Sequence, residues 1–280
     1  MRTLPALKRI VGKWRARRDV IALVPTMGAL HEGHLALVRL ARRRADRVIV
    51  SIFVNPTQFA ANEDLGTYPR TFTADIAALA DAATDLVWAP SLATMYPAGS
   101  ATRIVPEGPA LAALEDAFRP HFFAGVATVV AKLLIQCEPD FAVFGEKDYQ
   151  QLIVVRRLTQ DLGLRTRILG APTIREPDGL ALSSRNRYLS AKERAAAPAL
   201  YRALRQCAAE IGTGKPIAGV LERGRAEIRA AGFSVDYLEA RDSVTLAAPS
   251  ETGGRSIRLL VAARIGKTRL IDNVGVKVAR

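Results

Sequence analysis

Short apolar runs rich in β-branched residues recur along the first two-thirds of the chain and predict β-strands. Apolar residues at helical spacing separate these runs, for example over 35–41 and 126–134. Because the predicted strands are apolar throughout, they favour a parallel sheet with helices on both faces, which right-handed crossovers make Rossmann-like. The predicted strands are 20–24, 48–54, 85–88, 141–144 and 166–169.

The pattern changes after the polar segment Arg-Glu-Pro-Asp-Gly at 175–179, which predicts a domain border. Ser190 and Glu193 have the spacing of a capping box and predict the start of one long alanine-rich helix that reaches about Ile211. The remainder predicts a small α+β unit. Its other predicted elements are a helix over 217–231 and strands near 235–239, 257–263 and 268–271.

The chain length also favours two folded domains, because 280 residues exceed the usual size of one hydrophobic core. Apolar residues make up 49% of the chain and charged residues 24%, which is typical of globular proteins. We therefore expect a Rossmann-like domain over residues 1–174 and a smaller α+β domain over 175–280.

The sequence indicates a cytoplasmic protein with reduced thiols. The longest apolar stretches are too short or too interrupted to span a bilayer, and the first residues lack the apolar core of a secretory signal. Cys137 and Cys207 have no neighbouring thiol or histidine, so we expect buried free cysteines and neither a disulfide nor a zinc site.

The formal charge of +13 favours polyanionic partners, which include nucleic acid, acidic lipid and phosphorylated small molecules. The densest basic runs, at 15–18 and 42–44, are not interleaved with aromatic residues as in single-strand binders. We therefore expect both runs to be solvated helix ends. A nucleic-acid-binding module stays open as an alternative.

The loop after the first predicted strand, Pro-Thr-Met-Gly-Ala-Leu-His-Glu-Gly-His at 25–34, carries the first candidate chemistry. A glycine-containing loop between a parallel strand and a helix N-terminus is expected to present free main-chain N–H groups to phosphate. His31 and His34, three residues apart, could both reach the anion. The histidines could instead belong to a metal site or to the core, although two ligands are few for a metal.

Two further segments carry groups suited to a nucleotide. The segment 141–151 turns from a strand end into a helix, so Lys147 could contact phosphate and Asp148 a ribose hydroxyl. Past the predicted border, the hydroxyls of Ser183 and Ser184 beside Arg185 could clamp a phosphate. Each segment is equally compatible with an ordinary helix start or a solvated turn.

Amide side chains follow the second predicted strand, in the segment Val-Ser-Ile-Phe-Val-Asn-Pro-Thr-Gln-Phe at 50–59. Asn55 and Gln58 would reach the same rim of the sheet as the first loop, because the strands are predicted to be parallel. An amide there can bind a hydroxyl or a carboxylate without bringing a charge.

Together these segments resemble the pantoate–β-alanine ligase family of the His-x-Gly-His nucleotidyltransferase superfamily. The resemblance runs from about Leu4 to Asn273. Its motifs are the loop at 25–34, Val-Ser-Ile-Phe-Val-Asn-Pro at 50–56, Tyr-Pro-Arg-Thr at 68–71, Phe-Gly-Glu-Lys-Asp-Tyr-Gln-Gln at 144–151 and Leu-Ser-Ser-Arg-Asn at 182–186.

The resemblance implies a ligase that activates pantoate with Mg²⁺-ATP as pantoyl adenylate and transfers the acyl group to β-alanine. It implies a cytoplasmic homodimer, with the second domain as a lid. The implied catalytic residues are His31, His34, Lys147 and Arg185, with Gln58 and Gln151 holding pantoate. The implied ATP contacts are Met27, Gly28, Ala29, Leu30, His31, Glu32, Gly33, His34, Gly145, Glu146, Lys147, Asp148, Ile174, Leu182, Ser183, Ser184 and Arg185.

The chain departs from the family pattern at two of these motifs. The family usually reads Arg-Pro-x-His-Phe-x-Gly-Val, and here Phe122 stands where that histidine is expected, with His121 next to it. Thr57 stands where a methionine is common. A related transferase acting on a phosphate ester is the alternative within the superfamily, but Gln58 and Gln151 argue against it because a phosphate acceptor calls for extra cations.

Overall fold

A computed structural model describes residues 1–59, 65–249 and 256–277. The chain forms two compact units, Met1–Glu146 with Gln150–Pro172, and Lys147–Tyr149 with Thr173–Arg280. The predicted border at 174/175 lies two residues after the change at 172/173. The functional roles expected of the two domains stay predictions.

The first unit contains a five-stranded parallel sheet with the order β3-β2-β1-β4-β5. The central position of β1 follows from its sequence, because residues 21–24 are apolar and fully buried. The predicted Rossmann-like parallel sheet is confirmed, with strand ends shifted by at most two residues. The strands are β1 (Ile21–Thr26), β2 (Arg47–Ile52), β3 (Leu86–Trp88), β4 (Phe141–Gly145) and β5 (Arg167–Ala171).

Helices connect these strands as the crossovers of a parallel sheet require. The sequence pattern predicts only the basic end of the first helix, whose buried residues Leu7 and Val11 lie four apart among basic residues. The helices are α1 (Leu4–Ala16), α2 (Glu32–Arg42), α3 (Phe72–Asp81), α4 (Leu92–Met95), α5 (Glu115–Phe118), α6 (Phe122–Cys137) and α7 (Tyr149–Asp161). Short 3-10 helices span Pro56–Gln58, Gly108–Leu111 and Glu146–Asp148.

The second unit packs helices on a three-stranded antiparallel sheet of order β6-β7-β8, which confirms the predicted α+β class. The prediction of one helix from Ser190 to Ile211 is wrong. The capping box of Ser190 and Glu193 is present, but the helix ends at Ala196, and Pro198 precedes a new helix because proline has no N–H to donate. The elements are α8 (Ala191–Ala196), α9 (Ala199–Gly212), α10 (Ile217–Ala230), β6 (Ser234–Asp242), β7 (Ile257–Ile265) and β8 (Thr268–Gly275), with a 3-10 helix over Ser184–Tyr188.

Both cysteines are free and buried, as the sequence predicts. Cys137 ends α6, and burial raises the pKa of its thiol. Cys207 lies in α9, where burial raises the thiol pKa to about 11. None of the helices in the described ranges combines the length and the apolar character that a membrane span requires.

Aspartate carboxylates bind main-chain N–H groups at the amino-terminal edge of the parallel sheet. Asp140 accepts the N–H of Ile21 at 2.8 Å, at the start of β1, and pairs with Arg15 at 2.7 Å and Arg165 at 3.0 Å. Arg15 also donates to the main-chain oxygen of Glu138. The expectation that residues 15–18 form only a solvated helix end is therefore wrong for Arg15.

The neighbouring strands are held in the same way. Asp85 accepts the N–H of Val48 at 2.8 Å and pairs with Arg42 at 2.8 Å and Arg47 at 3.2 Å. Arg47 also pairs with Asp19 at 2.8 Å. Arg42 thus departs from the expected solvated run, because it neutralises a carboxylate that holds the start of β2.

Asp140→Asn is expected to lower the free energy of unfolding at pH 7 by about 1–3 kcal/mol, the usual range for hydrogen bonds to a charged group. Burial by itself raises the pKa of Asp140, but the hydrogen bonds from Ile21 and Arg15 and the charges of Arg15 and Arg165 together bring that pKa below its ordinary value. The stabilisation is therefore fully present above the unfolded-state pKa and is lost as pH falls through the folded-state pKa.

Urea unfolding of wild type and variant between pH 7 and pH 3 measures this difference, which should shrink below about pH 4. Asp161→Asn is the control, because Asp161 is half exposed and pairs along its own helix with Arg157 at 2.8 Å. Its effect should stay below about 0.5 kcal/mol. Equal effects of the two variants at pH 7 would contradict the assignment.

Candidate active site

Three loops lie side by side at the carboxyl edge of the parallel sheet, because β2, β1 and β4 are neighbours. They carry Gln58 after β2, the residues 27–34 after β1, and Gly145 with Glu146 at the end of β4. Sequence reasoning predicts this convergence from parallel strands alone, and the sheet order bears it out.

The loop after β1 contains two consecutive left-handed residues, Gly28 with φ 81° and Ala29 with φ 51°. A Cβ on Gly28 would lie 3.0 Å from Asp75 Oδ2 and 3.3 Å from Ile52 Cγ2, so both the backbone and the packing call for glycine. The strained conformation of Ala29 is stabilised by complete burial of its side chain. Of the other predicted contacts, Met27, Leu30 and Gly33 are half-buried, and Glu32 is exposed and paired with Arg39.

Most main-chain N–H groups of this loop are already bound within the protein. Gly28 donates to Thr26 Oγ1 at 3.2 Å, and Ala29 and Leu30 donate to the Asp75 carboxylate at 3.0 and 2.8 Å. The expectation of a loop with free N–H groups for phosphate is therefore wrong at these positions. Side chains are left as the main donors that this loop can offer to an anion.

His31 and His34 form the N-terminal cap of α2. Nδ1 of His31 accepts the N–H of Gly33 at 3.1 Å, and Nδ1 of His34 accepts the N–H of His31 at 3.3 Å. The two ring centroids are 4.1 Å apart. Because each Nδ1 acts as an acceptor, the neutral rings carry their proton on Nε2, which makes both imidazoles Nε2–H donors.

Lys147 and Asp148 lie in the 3-10 helix that follows β4, within the segment that groups with the second unit. Lys147 Nζ lies 3.8 Å from Asp148 Oδ1, and the main-chain oxygen of Lys147 accepts from Asn273 Nδ2 at 2.8 Å. The backbone of Lys147 is thus fixed independently of its side chain, and Asp148 is exposed.

The predicted residues 174 and 182–185 all lie in the second unit. The N–H of Leu182 donates to the oxygen of Ile174 at 3.0 Å, so these two residues are neighbours. Ser183 caps the following 3-10 helix by accepting the N–H of Arg185 at 3.3 Å. Ser183, Ser184 and Arg185 are half-buried.

Asn55 is the residue that organises the turn carrying Gln58, and sequence reasoning gives it only a substrate role. Its side chain is fully buried. Nδ2 donates to Gln58 Oε1 at 2.9 Å and to the Gly125 oxygen at 3.2 Å, while Oδ1 accepts from Tyr96 Oη at 3.0 Å and Thr57 Oγ1 at 3.0 Å. Asn55 therefore orients the Gln58 amide.

The two adjacent glutamines at the start of α7 differ in environment. Gln150 is buried and binds the main chain, accepting from Glu115 N–H at 2.9 Å and donating to the Pro109 oxygen at 2.9 Å. Gln151 is half-buried. The structure thus gives Gln150 a structural position and leaves Gln151 as the candidate of the pair for substrate binding.

Comparison with known proteins decides the family. The family model described as "Pantoate-beta-alanine ligase" matches residues 1–275. A pantothenate synthetase from Nitrobacter winogradskyi is 62% identical over 276 residues, covering 99% of this chain and 98% of the relative. The chain belongs to the pantoate–β-alanine ligase family.

Solved structures of the family share the fold described above. The chain matches a pantothenate synthetase from Thermus thermophilus with TM-score 0.92 and 47% identity, covering 99% of this chain and 98% of that one. It also matches a pantoate–β-alanine ligase from Francisella tularensis, named as complexed with β-γ ATP and β-alanine, with TM-score 0.81 and 35% identity. That match covers 100% of this chain and 98% of the other. The family's reaction is the ATP-dependent condensation of pantoate with β-alanine.

Phe122, which stands where the resemblance leads us to expect a histidine, packs against an arginine. The Arg119 guanidinium lies 3.8 Å from the centroid of the Phe122 ring, and Arg119 donates to the main-chain oxygen of Gln58 at 3.0 Å. A phenyl ring at this position presents its face to the guanidinium. Phe122 therefore supplies a stacking surface that has no ring nitrogens.

Close packing also fixes the turn at Thr57, the second departure from the family pattern. A Cβ on Gly125 of α6 would lie 2.3 Å from the Thr57 oxygen, so only glycine allows this approach. The Thr57 side chain is exposed, with its hydroxyl bound to Asn55 Oδ1. Threonine here thus adds a hydrogen bond to the Asn55 network.

Long-range ¹H–¹⁵N correlation spectra of histidine-labelled protein are expected to show the neutral Nε2–H tautomer for His31 and His34. The chain has three histidines, and the third, His121, is exposed and serves as the internal reference. His121→Gln assigns its signals. A proton on Nδ1 of either His31 or His34 in the neutral ring would contradict the capping geometry.

Proposed function

We propose that this chain condenses pantoate with β-alanine to form pantothenate, using ATP and releasing AMP and pyrophosphate. The observation that carries the proposal is the pair of Nε2–H donors, His31 and His34, at the head of α2 in a member of this family. The Francisella tularensis relative, named as bound to β-γ ATP and β-alanine, supports the same substrates.

The reaction needs an activated carboxylate, because a carboxylate oxygen is a poor leaving group. One carboxylate oxygen of pantoate attacks the α-phosphorus of ATP, the bond to the bridging oxygen breaks, and pyrophosphate leaves with the electron pair. The amine of β-alanine then attacks the acyl carbon of pantoyl adenylate, loses a proton and displaces AMP. Both steps build negative charge on phosphate oxygens, which fixed donors stabilise.

The nucleotide contacts in this proposal come from three segments. The Nε2–H groups of His31 and His34 donate to phosphate oxygens near the helix N-terminus, where the helix dipole adds favourable potential. Lys147 contributes a charge, and Arg185 with its neighbouring serines a clamp. The proposed ATP contacts are Met27–His34 as the loop after β1, Gly145–Asp148 after β4, and Ile174 with Leu182–Arg185 in the second unit.

Pantoate is held in this proposal by two neutral amides, Gln58 and Gln151. Neutral donors suit a carboxylate that must attack the α-phosphorus, because a cation would stabilise the carboxylate in the ground state and so make it a weaker nucleophile. Asn55 presets the Gln58 amide, and Arg119 holds its main chain. The Phe122 ring acts through Arg119.

We further propose that Mg²⁺ enters as the complex with ATP, bound mainly by phosphate oxygens and water, as Mg²⁺ prefers. In the described part of the chain, no group of three or more His, Cys, Asp or Glu side chains is arranged to hold a metal ion. A homodimer, which the resemblance to the family implies, and a cytoplasmic location, which the sequence features also indicate, complete the proposal.

Pyrophosphate release from ATP is expected with pantoate and not with glycerol 3-phosphate as a phosphorylated acceptor. Without β-alanine, release should stop near one pyrophosphate per active site, because the adenylate stays bound. Adding β-alanine should start continuous formation of AMP, and α-alanine is the matched control amine. Release that follows glycerol 3-phosphate, or that needs no acceptor, would contradict the proposal.

Lys147→Ala is expected to lower kcat/KM by roughly 10²–10³, the usual loss of one transition-state donor. The fold should persist, because the substitution keeps the main-chain oxygen of Lys147 that Asn273 binds. Lys192→Ala, which removes an exposed lysine of α8, is the matched control. Wild-type turnover in a folded Lys147→Ala variant would exclude the role.

A further inference from the structure

Asp75 of α3 is a buried carboxylate beneath the loop after β1. It is 3% exposed. Within residues 1–59, 65–249 and 256–277, no Lys, Arg or His forms an ion pair with it. Ionised carboxylates are costly to bury unless several donors satisfy them, so the contacts of Asp75 explain why it is tolerated there.

Two main-chain N–H groups and one hydroxyl bind this carboxylate. Oδ2 accepts from Ala29 N–H at 3.0 Å, and Oδ1 accepts from Leu30 N–H at 2.8 Å and from Thr71 Oγ1 at 3.0 Å. The N–H of Asp75 in turn donates to the Thr71 oxygen at 2.8 Å. Thr71 is the last residue of the Tyr-Pro-Arg-Thr segment, so this motif has a structural role through the hydroxyl that binds Asp75.

We infer that Asp75 is a positioning residue for nucleotide binding, with Thr71 as its support, and the inference rests on the proposed function. The carboxylate bridges the N–H groups that follow Gly28 and Ala29, and so holds the left-handed turn in one shape. The next residue along the chain is His31, the cap of α2. The position of both imidazoles therefore depends on this carboxylate.

The chemistry of the contact favours a carboxylate over any other side chain of this size. Both oxygens face N–H donors, and only an ionised carboxylate accepts at both. In asparagine, the amide NH₂ would face one of these N–H groups, which leaves a buried donor without an acceptor. These donors also stabilise the negative charge of Asp75, which reduces the electrostatic repulsion between Asp75 and a nearby triphosphate.

Asp75→Asn is expected to raise the KM for ATP on the order of 10-fold, the effect of losing one hydrogen bond to a charged group. The KM for pantoate should stay within about twofold, because Gln58 is anchored separately by Asn55. Asp85→Asn is the matched control: Asp85 also accepts a main-chain N–H, that of Val48, but at the opposite edge of the sheet. It should leave both KM values unchanged.

Amide hydrogen exchange, measured without nucleotide, tests whether the Asp75 carboxylate holds the loop after β1. Exchange at residues 28–31 should speed up in Asp75→Asn and not in Asp85→Asn. If Asp75→Asn does not fold, Thr71→Val removes only the hydroxyl donor and should raise the KM for ATP by about 2–5-fold. Thr71→Ser should restore the wild-type value, because it keeps the hydroxyl.

The outcomes separate the inference from the proposed function. An inactive wild type overturns the proposed function, while hydrogen exchange still reports whether Asp75 holds the loop after β1. An active wild type with an unchanged KM for ATP in Asp75→Asn, or in Thr71→Val, overturns the inference and leaves the function standing. A fall in activity with a lower Tm and unchanged KM values would show a merely structural role and would also overturn it.

Discussion

Aspartate carboxylates bind main-chain N–H groups at both ends of the central strand, and the site depends on this arrangement. At the amino end, Asp140 accepts from Ile21 and Asp46 from Val20. Past the carboxyl end, Asp75 accepts from Ala29 and Leu30. A buried N–H group without an acceptor costs free energy comparable to a lost hydrogen bond, so these carboxylates fix where the strand starts and how it leaves the sheet.

The carboxylates at the two edges of the sheet are stabilised by different kinds of partner. At the amino edge the carboxylates are neutralised by arginines such as Arg15 and Arg42. Beneath the loop after β1 the charge of Asp75 is met by N–H groups and a hydroxyl. Ion pairs of this kind explain where several arginines lie, while nothing in the structure explains the net charge of +13.

The parallel sheet and the convergence of loops at its carboxyl edge follow from sequence, because apolar strands and crossover geometry leave few topologies. The glycine of the first loop and the capping box at Ser190 are also readable as local signals. The acceptor of the N–H groups in that loop cannot be predicted from local sequence, because Asp75 lies some 45 residues away along the chain and only folding brings it near. The break at Pro198 is a local signal that the alanine-rich composition obscures.

The same limit applies to the candidate site. The motifs identify Gln58 and the two histidines as candidates, but the groups that orient Gln58, which are Asn55 and Arg119, face inward or lie on another element. Finally, the two buried thiols open a practical route to measuring movement of the chain. Cys207, with its raised pKa, and Cys137 have little thiolate at neutral pH, so maleimide dyes should spare them and label cysteines introduced at exposed positions such as Lys192.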